Sequence, residues 1–512
     1  MRAVATEPTM AAAVDTVFEY VMINYRWVFV CLFLLPCTVL GKLWSVWEMR
    51  TGAVYTDGDR HRENVKKIQR RIRLRNEKDP NRMMCTAKPS WKSVSLADIL
   101  YKKHMHNVDV HLDAIIAIDT ESQTVRVEPG ITFGRLVPAL IQSGWTLPIV
   151  VDLKELTVGG LVMGTGLESS SHKYGLFYEL CTRYELITCD GNVMTCSKTE
   201  NAQAFECLPC SYGTLGFLTA VDLKIMPAKK YVALEYSPVV GPAERMESAL
   251  RLEVNGNNEF VELIVFSQSH GVLVTGRLTD GEDNTATTVN EIGRFYKPWF
   301  FKHVQTFLEA DRHAEELVPL ADYYFRHNNS LFWEIQDIIP FGNNAVFRYF
   351  LGWLMPPKIA LLKLTQTAIV KRLYDKYHFV DDFILPLSGL AESLGQFHRT
   401  LNIYPIWVCP VVLRSGRGLM HSPSAQDEMY VDVGLYGEPK VSGYNCKATG
   451  TRLEHFVLKL KGFKMLYTGT HLTSDEFKSM FDHGLYDKIR RQLRCEFNLP
   501  EIYNKVNKSA RK

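Results

Sequence analysis

The segment Thr157–Phe177, TVGGLVMGTGLESSSHKYGLF, gathers Gly159, Gly160, Gly164, Gly166 and Gly175 beside Thr165, Ser169, Ser170 and Ser171. Glycine lets a backbone adopt φ > 0 and approach a ligand closely. Successive main-chain N–H groups in such a turn form a concavity for an anion. The chemistry on offer is the holding of a pyrophosphate, and so of a dinucleotide. Gly164-Thr165-Gly166 begins like G-x-G-x-x-G, but Ser169 stands where the third glycine belongs. A loop of that type also opens a long apolar-striped helix. Here the chain runs on into polar, turn-rich Ser170-Ser171-His172-Lys173-Tyr174-Gly175. On the residues alone, a cofactor cradle and a set of β-turns with no ligand both stand. Cys207-Leu208-Pro209-Cys210 has C-x-x-C spacing, but neither a second pair nor a nearby His completes a zinc set, and no metal site is read from it.

The elements that must position this segment are short. The apolar run Trp145–Val151 is expected to be a strand leading into it. Upstream, Ile115–Ile118 and Thr124–Glu128 read as two strands joined by a hairpin-like turn at Asp119–Ser122, with Pro129-Gly130 stopping the second. Thr132 is expected to cap a helix through Leu136, Leu140 and Ile141 that ends at Gly144. Downstream, Tyr184–Thr188 and Val193–Cys196 flank Asp190-Gly191, a strong hairpin signal. Gly213-Thr214-Leu215-Gly216 leads into a strand, Leu218–Ile225. Residues 60–78 read as a charged, solvated helix and Trp91–Leu96 as a short strand. After Tyr231 the texture changes. Strands are expected at Phe260–Phe266, Val272–Thr275, Tyr404–Leu413 and Met429–Val433, among aromatic clusters at Tyr296–Phe301, Phe332-Trp333 and Phe347–Trp353. Those aromatics read as core, or as an exposed face for lipid or an apolar ligand. From Thr473 the chain is expected to be helical, with a cap near Ser474–Phe477 and a basic last turn at Lys488–Arg491. The pattern is α+β and divides at 1–56, 57–230, 231–460 and 461–512.

A chain of 512 residues with 46% hydrophobic and 22% charged residues is a globular protein of several domains. A net charge of +3 speaks against nucleic-acid binding over the whole chain. Eleven cysteines without regular spacing fit a reducing compartment rather than a disulfide framework. Trp27–Leu40 is uncharged, but at about 21 Å as a helix it falls short of a ~30 Å hydrocarbon core. Extension back to Val17 takes in Glu19, Asn24 and Arg26, while Tyr25, Trp27, Trp44 and Trp47 suit a membrane interface. A signal peptide is the rival reading. No small-x-small cleavage site follows promptly, so about residues 17–41 are read as an uncleaved membrane anchor. The basic run Arg60, Arg62, Lys66, Lys67, Arg70, Arg71, Arg73 and Arg75 then puts the body on the cytosolic side.

TVRVEPGITFGRLVPAL at 124–140, the TVGG segment, the Asp190-Gly191 hairpin and the Gly213–Gly216 turn follow in one order and spacing. In this the chain resembles the FAD-dependent oxidases of the vanillyl-alcohol oxidase / p-cresol methylhydroxylase superfamily. Within that superfamily, TVGGLVMGTGLESSSHKYGLF, YKPWFFKHV at 296–304, FWEIQDIIPFGNN at 332–344 and YGEP at 436–439 are similar to the Δ24-sterol reductase family and its plant Diminuto relatives. The likeness runs from RWVFVCLFLLP at 26–36 to the C-terminus. It implies a two-subdomain FAD-binding domain, an α+β substrate cap and an N-terminal membrane helix. The FAD pyrophosphate would lie on Thr157, Val158, Gly159, Gly160, Leu161, Val162, Met163, Gly164, Thr165, Gly166, Leu167, Glu168 and Ser169, with Gly213, Leu215 and Gly216 closing over the flavin. Many superfamily members tether FAD through a His in an early glycine-rich loop. The matching Met84–Ser90 has neither His nor Gly, so FAD is expected to be non-covalent. His172 and Lys173 are expected to serve cofactor charge. NADPH is the implied reductant, and with no second dinucleotide motif it is expected to use the same flavin face in turn.

The family reaction saturates the isolated side-chain double bond of a Δ24 sterol, desmosterol to cholesterol in type. Such a site needs an acid, a dry apolar tunnel, and an aromatic face or anion to support developing positive charge. Candidates for the acid are Glu334, Asp337, Tyr430, Asp432, Tyr467 and His471, each of which reads more readily as a core or surface residue. The implied location is the endoplasmic reticulum membrane, with the Golgi as a second site. The implied partners are the sterol and other sterol enzymes. A flavin oxidase of a soluble hydroxy acid or aldonolactone, or a non-catalytic membrane scaffold, are the alternatives.

Overall fold

The computed structural model describes Val21, Tyr25, Val28 and residues 30–51, 54–95, 100–281, 288–365 and 368–510. Most of the expected anchor before Val30, including Glu19, Asn24, Arg26 and Trp27, lies outside the described residues, as does Leu96.

Two antiparallel sheets organise the chain. The first has five strands in the order Ile115–Asp119, Thr124–Val127, Phe217–Lys224, Cys181–Ile187 and Val193–Ser197. Both expected hairpins are in it, and Gly191 takes φ +83° at the second. The helix Phe133–Gln142 starts after Thr132 and is followed by Gly144 at φ +83°. Two expectations fail nearby. Only Trp145–Thr146 of the 145–151 run is a strand, because Pro148 has no N–H to give a ladder. Ser90–Lys92 is a 3₁₀ turn, not the start of a strand.

The basic helix Gly58–Lys78 is less solvated than its charges imply. Val65, Ile68 and Ile72 form a buried stripe, and Gln69 and Arg73 donate to Gly191 O at the hairpin tip. His61 lies between Glu128 and Glu185, at 2.8 and 3.2 Å; although burial opposes its charge, the two carboxylates raise its pKa to about 9. Cys495 and Leu499, from the far end of the chain, complete a second hydrophobic core with Val65, Ile68, Ile72, Met84, Cys189 and Phe217. Arg490 donates to Thr214 O and Met84 N to Asn498 O, so the C-terminal segment packs on the five-stranded sheet's side.

The second sheet has eight antiparallel strands in the order Ala314–Pro319, Tyr231–Val240, His270–Thr279, Phe260–Ser267, Ile406–Leu413, Glu428–Gly437, Phe379–Pro386 and Phe463–Lys464. All the strands expected after Tyr231 are among them. On one face, Phe383 and Asp381 meet the helices Leu390–Thr400 and Cys446–Lys459 through Phe397, and through Lys464 shared with Glu454. The register Ile264↔Trp407↔Gly434↔Asp382 places Glu262, Trp407, Gly434, Tyr436 and Asp382 on the other face. That face looks toward the glycine segment: Val261 N donates to Ser169 O, and Ser171–Tyr174 packs on the Ile406–Leu413 strand.

The aromatic clusters divide. Trp299, Phe300, Phe301 and Trp333 are buried, whereas Tyr349, Phe350 and Trp353 are exposed.

Candidate active site

The glycine segment begins as a helix. Thr157 caps Val158–Met163, its hydroxyl accepting from Gly160 N at 3.3 Å. Val158 N and Gly159 N donate to Ile131 O and Pro129 O, which fixes the helix start on the Pro129-Gly130 turn. The left-handed conformation expected of the glycines is found only at Gly175 (φ +81°) in the segment, and beyond it at Gly213 (+66°) and Gly216 (+150°). Gly159, Gly164 and Gly166 are required by close approach instead. A Cβ at Gly159 would stand 2.6 Å from Pro129 Cβ, one at Gly164 2.8 Å from Gly160 O, and one at Gly166 2.9 Å from Leu161 Cδ2. Gly160 differs, since a Cβ there meets only Thr157 Oγ1 at 3.0 Å. Its open side faces outward.

After Gly164 the chain extends. The amides of Thr165, Gly166 and Leu167 find no acceptor among the described residues. These amides, beside the bend at Gly164, leave backbone donors that a phosphate can take. Tyr212 N donates to Met163 O and Cys210 N to Val162 O, which lays the Gly213–Gly216 turn beside it. Lys505 donates to Tyr212 O and its Nζ is 4.0 Å from the Cβ position of Gly213. The site residues therefore fit the pyrophosphate of a dinucleotide. His172 and Lys173 do not serve it. His172 is buried, its ring nitrogens on Ser169 O and Asn258 O at 3.0 and 3.1 Å, and burial lowers its pKa. Lys173 pairs with Glu259 at 3.1 Å. Both stitch the segment to the second sheet. Cys207 and Cys210 are buried, and burial holds each thiol at about 12.

These observations separate two glycines. Gly159→Ala should lower Tm and flavin content together, because its Cβ would strike backbone. Gly160→Val should leave Tm near wild type and weaken FAD retention, because its side chain projects to the ligand side. Full flavin content in folded Gly160→Val would show that this helix start does not face the cofactor.

On the second sheet, two buried polar groups flank Trp407. Beside the glycine segment, Arg326 binds Glu262 through Nε and Nη2, both at 2.8 Å, Glu168 at 2.9 Å and Asp152 at 3.4 Å. Burial works against its charge, but the three carboxylates keep it ionised. Burial pushes Asp152 well above the carboxylate range, while Arg326 and His327 hold Glu262 below it. Trp407 donates to Glu262 at 2.8 Å.

Two strands away, Asp382 takes hydrogen bonds from Tyr436 on one oxygen and from Tyr467 on the other, the latter at 2.6 Å. Burial pushes the Asp382 carboxyl up to about 7, against the pull of both phenols. Gly434 makes room for this, because a Cβ there would run into Tyr436 OH and stand 2.8 Å from Asp382 Oδ1. Asp432 is 1% exposed with neither oxygen hydrogen-bonded, and burial raises it well above the carboxylate range, so it is held protonated. Phe332 spans the two groups, its ring 5.1 Å from Trp407 and 5.3 Å from Tyr436. Ser95, beyond the early loop, donates to Tyr467 O at 2.7 Å, so the group sits where the two halves of the molecule meet.

Of the acid candidates, the structure thus brings Tyr467 and Asp432 each to Asp382. Glu334 accepts from Tyr374 at 2.9 Å and pairs with His378 at 3.0 Å, and Asp337 lies 3.8 Å from the same imidazole. Tyr430 donates to Lys461 O. His471 N donates to Glu454, and burial lowers the imidazole to about 4, which leaves it neutral. Asp382, Tyr436, Glu262 and Arg326 were not singled out from the sequence. A signal existed in acids inside apolar strands, in FVELIVF, FVDDFIL and YVDVGLY, since a carboxyl there must be paired or protonated.

Residues 68–197 match the family described as FAD binding domain. Delta(24)-sterol reductase of Mus musculus is 45% identical, over 96% of this chain and 95% of its own. That of Pisum sativum is 32% identical, over 96% and 92%. L-gulonolactone oxidase of Bos taurus is 24% identical over 64% of this chain and 67% of its own. At 45% identity across nearly the whole length, with an FAD-binding domain around the glycine segment, the chain belongs to the Delta(24)-sterol reductase family.

Proposed function

We propose that the protein is an FAD-dependent reductase that saturates the Δ24 side-chain double bond of a sterol at the expense of NADPH. The observation that carries this reading is the full-length likeness to Delta(24)-sterol reductases. The buried acid network on the second sheet supplies what such a reaction demands of the chain.

An isolated alkene has no carbonyl to polarise, so the protein must deliver a proton to carbon. FAD, when bound, supplies the hydride chemistry. Asp382, buried and half-protonated near neutrality, is the proton reservoir. Tyr436 and Tyr467 already donate to its two oxygens, so any further proton on the carboxyl is not needed within the network and is available to the site. Phe332 and Trp407 offer aromatic faces to the positive charge that protonation creates. Burial of this sheet face excludes water that would capture it. The Thr157–Ser169 segment would hold the FAD pyrophosphate, and Gly213, Leu215 and Gly216 would lie over the flavin. NADPH would reach the cofactor from the same face before the sterol. We read residues 57–230 as the FAD-binding domain, 231–460 as the cap and 461–512 as a return to the former. The apolar helix Val30–Trp47, 18 residues of mean hydropathy 1.7, attaches the protein to the endoplasmic reticulum membrane with its body in the cytosol.

Anaerobic NADPH should bleach the yellow flavin, and desmosterol should restore it. Acid precipitation should leave the flavin in the supernatant, as expected of a non-covalent cofactor. Bleaching by an aldonolactone with no return on desmosterol would instead favour the oxidase reading that the bovine relative brings to mind.

A further inference from the structure

The N-terminal apolar helix does not stand away from the body. A π-turn at Val30–Leu34 runs into the helix Leu35–Thr51. Val30, Leu34 and Thr38 are each 1% exposed, and Gly41 continues the stripe with room for no Cβ against Leu361. The helix packs on Ile359–Thr365 and on the Gly352–Leu354 turn. From Val30 to Gly41 is about 16 Å of helix, over half of a ~30 Å hydrocarbon core. A helix packed on a folded body over that length is not free to cross a bilayer with the same turns.

Its other side is apolar and open. Leu40 is 67% and Trp44 57% exposed, and Leu43 and Trp47 are also exposed. Beside it, the helix Ala345–Leu351 and the following turn present Val346 (67%), Phe350 (75%), Tyr349 and Trp353. The body hides Phe347 but leaves these four out. An apolar patch of this kind on a soluble surface marks an interaction site.

We infer that the two surfaces form one platform that lies in a single leaflet, so that the membrane is met from one side by the helix Val30–Trp47 and by the Val346–Trp353 segment together. The occupant is the lipid bilayer, because the patch is continuous with the helix that attaches the protein. Monotopic helices bury an apolar face about 5–10 Å into the headgroup–acyl boundary, which suits side chains rather than a full span. The platform also leads to the acid network: Lys363, on the helix beneath it, donates to Ser93 O and Ser95 O, and Ser95 donates to Tyr467 O. This inference rests on the membrane attachment proposed above.

The test uses the full chain. A double substitution, Phe350→Ser with Trp353→Ser, should leave flavin content and Tm near wild type and weaken co-flotation with phosphatidylcholine–cholesterol vesicles at least tenfold. Unchanged flotation of the folded variant would overturn the second contact; if the pair disturbs folding, Tyr349→Ser with Val346→Ser gives the same reading. In sealed microsomes, protease should remove an N-terminal epitope as readily as it digests the body. A protected epitope on a digested body would overturn the one-sided placement. If the wild-type protein fails to float at all, the membrane attachment itself is wrong, and the platform falls with it.

Discussion

Asp382→Asn should keep its flavin, keep its reduction by NADPH, and lose turnover by about 10²- to 10⁴-fold, the usual contribution of a general acid. Asparagine fills the same volume and can still accept from Tyr436 or Tyr467, so the fold should hold. It cannot carry the proton. The loss should therefore fall on the sterol-dependent return of flavin colour and not on its bleaching. The pH profile gives a second readout. The proton on Asp382 is needed, and burial sets its pKa at about 7, so the rate should fall as pH rises through 7 with the loss of one proton. The Tyr467 hydrogen bond holds that pKa down, so Tyr467→Phe should move the descending limb to higher pH. If Asp382→Asn reoxidises with sterol at the wild-type rate, the acid lies elsewhere, and Asp432, buried without a partner, becomes the group to examine.

Arg326→Met should have the largest effect on stability. The guanidinium is 1% exposed and ties Glu262 of the second sheet to Glu168 and Asp152 beside the glycine segment. Removal of one partner from a buried ion pair costs about 3–5 kcal/mol, because the other charges stay behind. At about 2–4 °C per kcal/mol for a 150–250-residue unit, Tm should drop by roughly 6–20 °C. Flavin retention should fall with it, since Glu168 directly follows the free amides of Thr165–Leu167. Arg326→Lys should recover only part, because an ammonium cannot reproduce the two-pronged contact with Glu262. A Tm within 2 °C of wild type in Arg326→Met, by any scan that reports cooperative unfolding, would mean that the three carboxylates simply take up protons and the cluster is no clamp.

What the sequence discloses here follows the range of the forces involved. The hairpin at Asp190-Gly191 and the helix after Thr132 are written in adjacent residues, and both are found. The glycine segment was legible as a place of backbone crowding, but not for the right reason. Its crowding comes from Pro129 and Leu161 rather than from left-handed φ, and Pro129 lies 30 residues from Gly159. Asp381 and Asp382 show the limit best. They are neighbours of one type, yet the pleat sends Asp381 to Lys464 and Asp382 to Tyr436 and Tyr467. Which of them serves the site depends on strand register, which is fixed by partners far along the chain. Arg326 and His327 sit in a stretch without period, entered before two left-handed residues, Leu331 and Phe332, that are not glycine. Nothing local marks them.

The second hydrophobic core has a consequence for biosynthesis. Cys189 and Cys495 touch across 306 positions, their sulfurs 3.5 Å apart. At about 5–20 residues per second, a ribosome needs about 15–60 s to synthesise what separates them. For that interval the Val65, Ile68 and Ile72 stripe has no Cys495 or Leu499 to cover it, and Thr214 lacks Arg490. The part of the protein that carries the glycine segment is thus made well before the residues that complete its second core. Its apolar stripe stays partly uncovered until Cys495 and Leu499 leave the exit tunnel.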